Sequence, residues 1–137
     1  MKINYTEEKL FTKNQIHELF LSVNWISSQY PERLYKALMN SDTVITAWNG
    51  NNLAGLARVI DDSELVAYVH YVLVNPKYQG LGIAGTMIEM IKEKYKNYLY
   101  IEGMPEESKN VPFYEKHGFK VMEDARAIQI CNFSDKR

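Results

Sequence analysis

Between Thr12 and Asn24 the apolar residues Ile16, Leu19, Phe20 and Val23 recur at intervals of three and four. That is the spacing of one helix face, and Thr12 stands where an N-cap belongs. A second helix is predicted from Pro31, a residue suited to a first helical position, through Asn40. From Asp42 the period changes. The run over 42–74 is β-branched and aromatic, and it is broken by Asn49-Gly50-Asn51-Asn52 and Asp61-Asp62-Ser63, which are turn chemistry. Three antiparallel strands near 43–48, 53–60 and 65–74 are predicted, preceded by a short strand over 1–7. After Pro76 comes a loop, then a helix over 82–95 with Ile83, Met87, Ile88 and Ile91 on one face. A strand over 97–103, a short helix over 108–118 closed by Gly118, and final strands over 119–123 and 126–133 complete the reading.

This order predicts an α+β (mixed α/β) fold with a mixed central sheet of about six to seven strands and about four helices. There is no repeat, low-complexity tract or linker, so a single domain over 1–137 is expected. Composition agrees: 46% hydrophobic and 24% charged residues suit a globular chain. A formal charge of −1 with no basic stripe argues against nucleic-acid binding. No leader or long apolar run is visible, so a cytoplasmic protein without a membrane partner is expected. Cys131 is the one cysteine, and His17, His70 and His117 have no ligand spacing, so no metal is expected.

The chemistry concentrates in Gln79-Gly80-Leu81-Gly82-Ile83-Ala84-Gly85-Thr86. Its small residues let backbone N–H groups approach a ligand, and the helix beginning there aims unpaired N–H groups and its positive dipole end at the same spot. That is an anion site suited to a pyrophosphate. Gly80, Gly82 and Gly85 also spell G-x-G-x-x-G, the dinucleotide fingerprint of a Rossmann fold. Against an NAD-binding reading, Asn75 to Gln79 separate the strand from the glycines, the preceding strands form an antiparallel meander, and about fifty residues remain after Gly85. A phosphate-binding P-loop lacks its lysine, because Thr86 stands there.

Read with its lead-in, "VLVNPKYQGLGIAGTMIEMI" resembles the cofactor motif Q/R-x-x-G-x-G/A of the GNAT superfamily of N-acetyltransferases. Gln79, Gly82 and Ala84 fill its defining positions. "NVPFYEKHGF", Asn110 to Phe119, is similar to that family's FYxxxGF segment. The resemblance covers roughly residues 40 to 133 and implies a GNAT acyl-CoA N-acyltransferase fold. It implies acetyl-CoA as cosubstrate between the splayed fourth and fifth strands. Leu73 and Val74 would hold the pantetheine arm; Gln79, Gly80, Leu81, Gly82, Ile83, Ala84, Gly85 and Thr86 would hold the pyrophosphate; Asn110 and Phe113 would flank the coenzyme.

Tyr114 matches the family's general acid, a phenol suited to protonating a departing thiolate. His70 and Glu102 are the side-chain candidates for general base, with water as the third route. Two departures stand out: Tyr71 occupies a place where many similar sequences carry an acid, and glutamine replaces arginine at position 79. The acceptor is expected to be a small-molecule or peptide amine; Trp25, Tyr30 and Tyr35 could line an aromatic pocket and Asp61 or Asp62 attract an ammonium group, but core or lid packing is the stronger reading of these aromatics. The protomer would act as a monomer or homodimer. A non-catalytic acyl-CoA-binding or sensor module on the same fold stays open as the alternative.

Overall fold

The structure is a computed structural model describing residues 1–105 and 107–133. It divides into two compact units, Met1–Gly103 and Met104–Arg137.

The first unit is built on one five-stranded sheet. Strand β1 (Asn4–Thr6) is followed by helices α1 (Lys13–Ser22) and α2 (Pro31–Met39), then by β2 (Thr43–Asn49), β3 (Asn52–Asp61) and β4 (Val66–Val74). Helix α3 (Ile83–Lys94) and strand β5 (Tyr100–Gly103) complete it. Spatial order follows chain order, antiparallel from β1 to β4, with β5 joining parallel to β4. A doubly wound sheet is thereby excluded, and with it the dinucleotide reading of the glycine loop.

Local signals explain the elements. Thr12 Oγ1 accepts from the Gln15 N–H (3.1 Å) and Gln15 Oε1 from the Thr12 N–H (2.8 Å), a reciprocal cap that starts α1. Gly50, at φ 60°, turns β2 into β3 between the facing Asn49 and Asn52. Asp62 closes the β3–β4 connection, its Oδ1 accepting from the N–H groups of Glu64, Leu65 and Val66. These bonds hold its carboxyl below the usual range.

Residues 43–47 and 53–57 are buried without alternation, the mark of a sheet covered on both faces. Phe20, Leu34 and Leu38 pack with Val44, Leu56 and Leu73 in one cluster, with Trp25, Tyr35 and Tyr71 against it. Helix α3 lies against β3 and β4, burying Ile83, Met87, Ile88 and Ile91. Trp25 and Tyr35 are thus packing residues at the edge of this cluster.

Among its described residues the second unit contains one α-helix, α4 (Val111–Lys116), preceded by a 3-10 turn over Ser108–Asn110. The strands expected over 119–123 and 126–133 are absent among the described residues, so the sheet has five strands rather than six or seven. Strand propensity reports fit to a pleated, half-buried surface. Ile128 and Ile130 have no such surface, being 95% and 88% exposed. No helix among the described residues is long and apolar enough to cross a membrane.

Candidate active site

Two features of β4 leave part of its edge irregular and unpaired within the sheet. Its pairing with β5 runs from Val66–Tyr100 to Val69–Gly103 and stops there, so residues 70–74 have no partner on that side. On the other side, Arg58 faces Tyr71 while Val59 faces Val69, which makes His70 the extra residue of a β-bulge. The bulge therefore sits where β4 parts from β5.

Backbone direction along the open edge follows from the ladder. The Asn75 N–H donates to the Ala54 carbonyl (2.9 Å), so by antiparallel alternation residues 75, 73 and 71 turn toward β3. The amide groups of Val72 and Val74 turn toward the unpaired edge. The backbone of Leu73, whose side chain is buried against the α1–α2 face, is directed at β3.

The chain then leads directly to the glycine loop. Asn75 Oδ1 accepts from the Lys77 N–H (3.0 Å), and Tyr78 is buried, anchoring the turn. Gln79, Gly80 and Leu81 are exposed, and α3 begins at Ile83 with Gly82 as its N-cap. Gly82 has φ 75°, a left-handed conformation glycine adopts without strain, and no side chain caps the helix. The first intrahelical bond is from the Thr86 N–H to the Gly82 carbonyl (3.0 Å), leaving the N–H groups of Ile83, Ala84 and Gly85 without a helical partner. No acidic residue lies in the first turn. A Cβ built on Gly80 or Gly82 meets nothing within 4 Å, so both backbones face open space.

These are the properties a pyrophosphate needs: orphan donors, a positive dipole end and unobstructed backbone. The site fits such a group. Gly55 on β3 helps set it, since a Cβ there would lie 3.1 Å from Ile83 Cγ2 and 3.1 Å from the Leu73 carbonyl oxygen. Thr86 is committed elsewhere, its hydroxyl donating to the Gly82 carbonyl (2.9 Å).

His70 lies on the bulge, its ring 4.1 Å from that of Tyr71. Arg58 Nη1 is 2.5 Å from His70 Nδ1. Arginine has no acceptor, so Nδ1 accepts and the remaining ring proton resides on Nε2. Burial and the Arg58 charge push the imidazole down to about 4. His70 is therefore neutral at pH 7 but has no free lone pair with which to take a proton. Glu102 is the third residue of β5, facing Tyr68 in register rather than ending the strand.

Asp61 and Asp62 serve the fold. Tyr95 Oη donates to Asp61 Oδ2 (2.7 Å) and Tyr98 Oη approaches Oδ1 (3.4 Å), while Asp62 holds its own turn. Neither carboxylate is held out for an ammonium group. Among the described residues no cluster of three or more His, Cys, Asp or Glu is gathered to hold a metal.

In the second unit, Asn110, Phe113 and Tyr114 come together on α4 and its N-terminus. Tyr114 packs edge-on against Phe113 (5.0 Å) and Phe119 (5.5 Å). Burial pushes its hydroxyl above the ordinary phenol value, so it stays protonated at neutral pH.

The family described as "Acetyltransferase (GNAT) domain" matches residues 2–134. A GNAT-family acetyltransferase of Streptococcus pneumoniae superposes with TM-score 0.82 at 25% identity, covering 96% of this chain and 98% of that one. A probable acetyltransferase of Staphylococcus aureus gives 0.83 at 22%, covering 96% and 100%. A GNAT-family acetyltransferase of Elizabethkingia anophelis, solved with acetyl-CoA bound, gives 0.66 at 20%, covering 88% and 77%. No curated protein matches. With the split sheet, the uncapped α3 and the family match over nearly its whole length, the chain belongs to the GNAT acetyltransferase family.

Proposed function

We propose that the protein is an acetyl-CoA-dependent N-acetyltransferase that passes the acetyl group directly to a primary amine. The observation that carries this reading is the α3 N-terminus, uncapped and glycine-lined, reached by a short loop from the end of β4 whose last residues have no β5 partner.

Acetyl-CoA supplies an activated thioester; the chain supplies placement and proton management. The N–H groups of Ile83, Ala84 and Gly85, with the backbone of Gln79 to Gly82, would take the pyrophosphate. The outward amide groups of Val72 and Val74 would take the pantetheine amides as an added strand takes a sheet edge. Tyr114, assigned by the match of its FYxxxGF motif, would give its proton to the departing thiolate. His70 has its accepting nitrogen occupied by Arg58, so the amine would lose its proton through water.

Two measurements test the reading together. Acetyl-CoA should raise the melting temperature through linkage, and a panel of primary amines should release free thiol from it. No melting shift at millimolar acetyl-CoA would sink the proposal. A shift with no thiol release from any amine would leave an acyl-CoA-binding module instead.

A further inference from the structure

Arg58 is the single charged residue within the apolar run from Leu53 to Ile60. It is half-buried on β3, opposite Tyr71 and beside the His70 bulge. Nε donates to Ser41 Oγ (2.7 Å), which itself donates to the Ala37 carbonyl (2.7 Å). Nη1 meets His70 Nδ1, and the guanidinium lies 5.7 Å from the centroid of the Tyr71 ring. That ring is itself fixed, with its hydroxyl 2.6 Å from Ser27 Oγ and its faces near Phe20 (5.0 Å) and Trp25 (5.6 Å).

The orientation is thus settled by three residues, yet no carboxylate forms an ion pair with the guanidinium among the described residues. Asp42 is near enough to stabilise the cation, but its Oδ2 accepts from the Asp61 N–H (2.8 Å). Three of the five guanidinium N–H donors remain, including both on Nη2. A partly buried cation normally ends in a paired carboxylate, because an unanswered one is costly. Here the aromatic face and two neutral partners hold the fork ready and leave its pairing edge vacant, as in a preorganised receptor for an anion.

Charge count narrows the anion. His70 is neutral, pushed down to about 4, and the Lys9 ammonium is spent on the carbonyls of Met39 and Ser41 (2.9 and 2.6 Å). One guanidinium matches one carboxylate better than a phosphate dianion, and it repels a polycationic amine. We propose that Arg58 receives a carboxylate of the acceptor, so that the amine acetylated here is an amino-carboxylate such as a free amino acid. This rests on the acetyl-transfer reading and places the acceptor on the α1–α2 side of β4, next to the bulge.

The test uses matched pairs differing by the carboxylate: L-phenylalanine with phenethylamine, L-lysine with cadaverine, L-arginine with agmatine. In thiol-release assays with acetyl-CoA, the carboxylated member of at least one pair should be favoured about ten- to hundredfold in kcat/KM, the range for a hydrogen bond between charged groups. Arg58→Gln should erase that preference by raising KM, with acetyl-CoA affinity unchanged. Decarboxylated amines used as well as their partners would overturn the inference, as would a preference that survives in Arg58→Gln. Should that variant fail to fold, Arg58→Lys keeps the charge without the fork, and the wild-type pair comparison decides alone. Were no amine acetylated at all, Trp25 fluorescence would separate the two ideas. Saturable quenching by L-phenylalanine but not phenethylamine, lost in Arg58→Gln, would keep the carboxylate receptor and discard acetyl transfer; no saturable signal from either would discard the receptor.

Discussion

Replacing Gly82 by alanine separates what the glycine loop does for the fold from what it does for a ligand. In the free protein the added methyl meets nothing within 4 Å, so no clash arises. The cost comes from φ 75°, a left-handed conformation disfavoured by about 1–2 kcal/mol for an L-residue with a Cβ. For a chain of this size that lowers the melting temperature by roughly 3–10 °C. In the proposed complex the Cβ would project into the space a phosphate enters. At 100 times its dissociation constant, acetyl-CoA stabilises the wild type by about 2.7 kcal/mol, and a tenfold loss of affinity reduces this to about 1.4 kcal/mol at the same concentration. The variant should therefore melt earlier alone and gain about half the ligand-induced rise, both read in one thermal-shift titration. A ligand-induced rise equal to wild type would refute the placement of the phosphates beside Gly82. An unchanged melting temperature without ligand would refute the strain argument independently.

Tyr114→Phe should cut turnover with little change in acetyl-CoA affinity; steady-state kinetics and a binding titration check this, and equal turnover would reduce Tyr114 to packing. Tyr95→Phe removes the donor to Asp61 and the acceptor facing buried Thr43, whose Oγ1 lies 2.6 Å from Tyr95 Oη. It should destabilise by about 1–3 kcal/mol in urea unfolding, the cost of orphaning a buried polar group, and a neutral effect would mean that the buried hydroxyl finds another partner. His70 makes stability depend on pH. Its folded value of about 4 lies below the unfolded 6.5, so the unfolded chain binds the extra proton and stability falls as pH drops from about 6.5 toward 4. The full shift corresponds to about 3 kcal/mol, and partial exposure of the ring screens this to about 1–2 kcal/mol. His70→Gln should flatten that part of the profile, and an unaltered acid limb would place the effect on another group.

Much of this was legible in the residues, because the signals are local. Turn chemistry at Gly50 and Asp62 marked the meander, the Thr12 cap marked α1, and the glycines with their lead-in marked the anion loop. Other features depend on long-range pairing. The segment 66–74, "VAYVHYVLV", shows no clear alternation of apolar and polar residues, so nothing in it announces which residue bulges. Without that register the sequence could not say which backbone groups of β4 turn away from β3, nor that Arg58 meets His70 Nδ1. Arg58 did leave a signal, a lone charge inside an apolar strand run, but its meaning depends on the unpaired fork, which only the packing of Ser41, His70 and Tyr71 reveals. The final strands read correctly as strand-like sequence and failed for want of a partner edge.

The bulge at His70 links the two ligands this fold would have to hold. It inserts one residue into β4 at the level where pairing to β5 stops, next to the edge over 70–74 proposed for the coenzyme. The same inserted residue brings the His70 and Tyr71 rings to 4.1 Å, and both side chains touch Arg58. A strand without the bulge would send consecutive side chains to opposite faces, and Arg58 would lose one of its three orienting partners. On the proposed reading, the edge for the acyl donor and the cationic seat for the acceptor would meet at one irregularity in register. It follows that deleting His70, which restores an even ladder, should damage carboxylate recognition and coenzyme binding together, whereas Arg58→Gln should touch only the first.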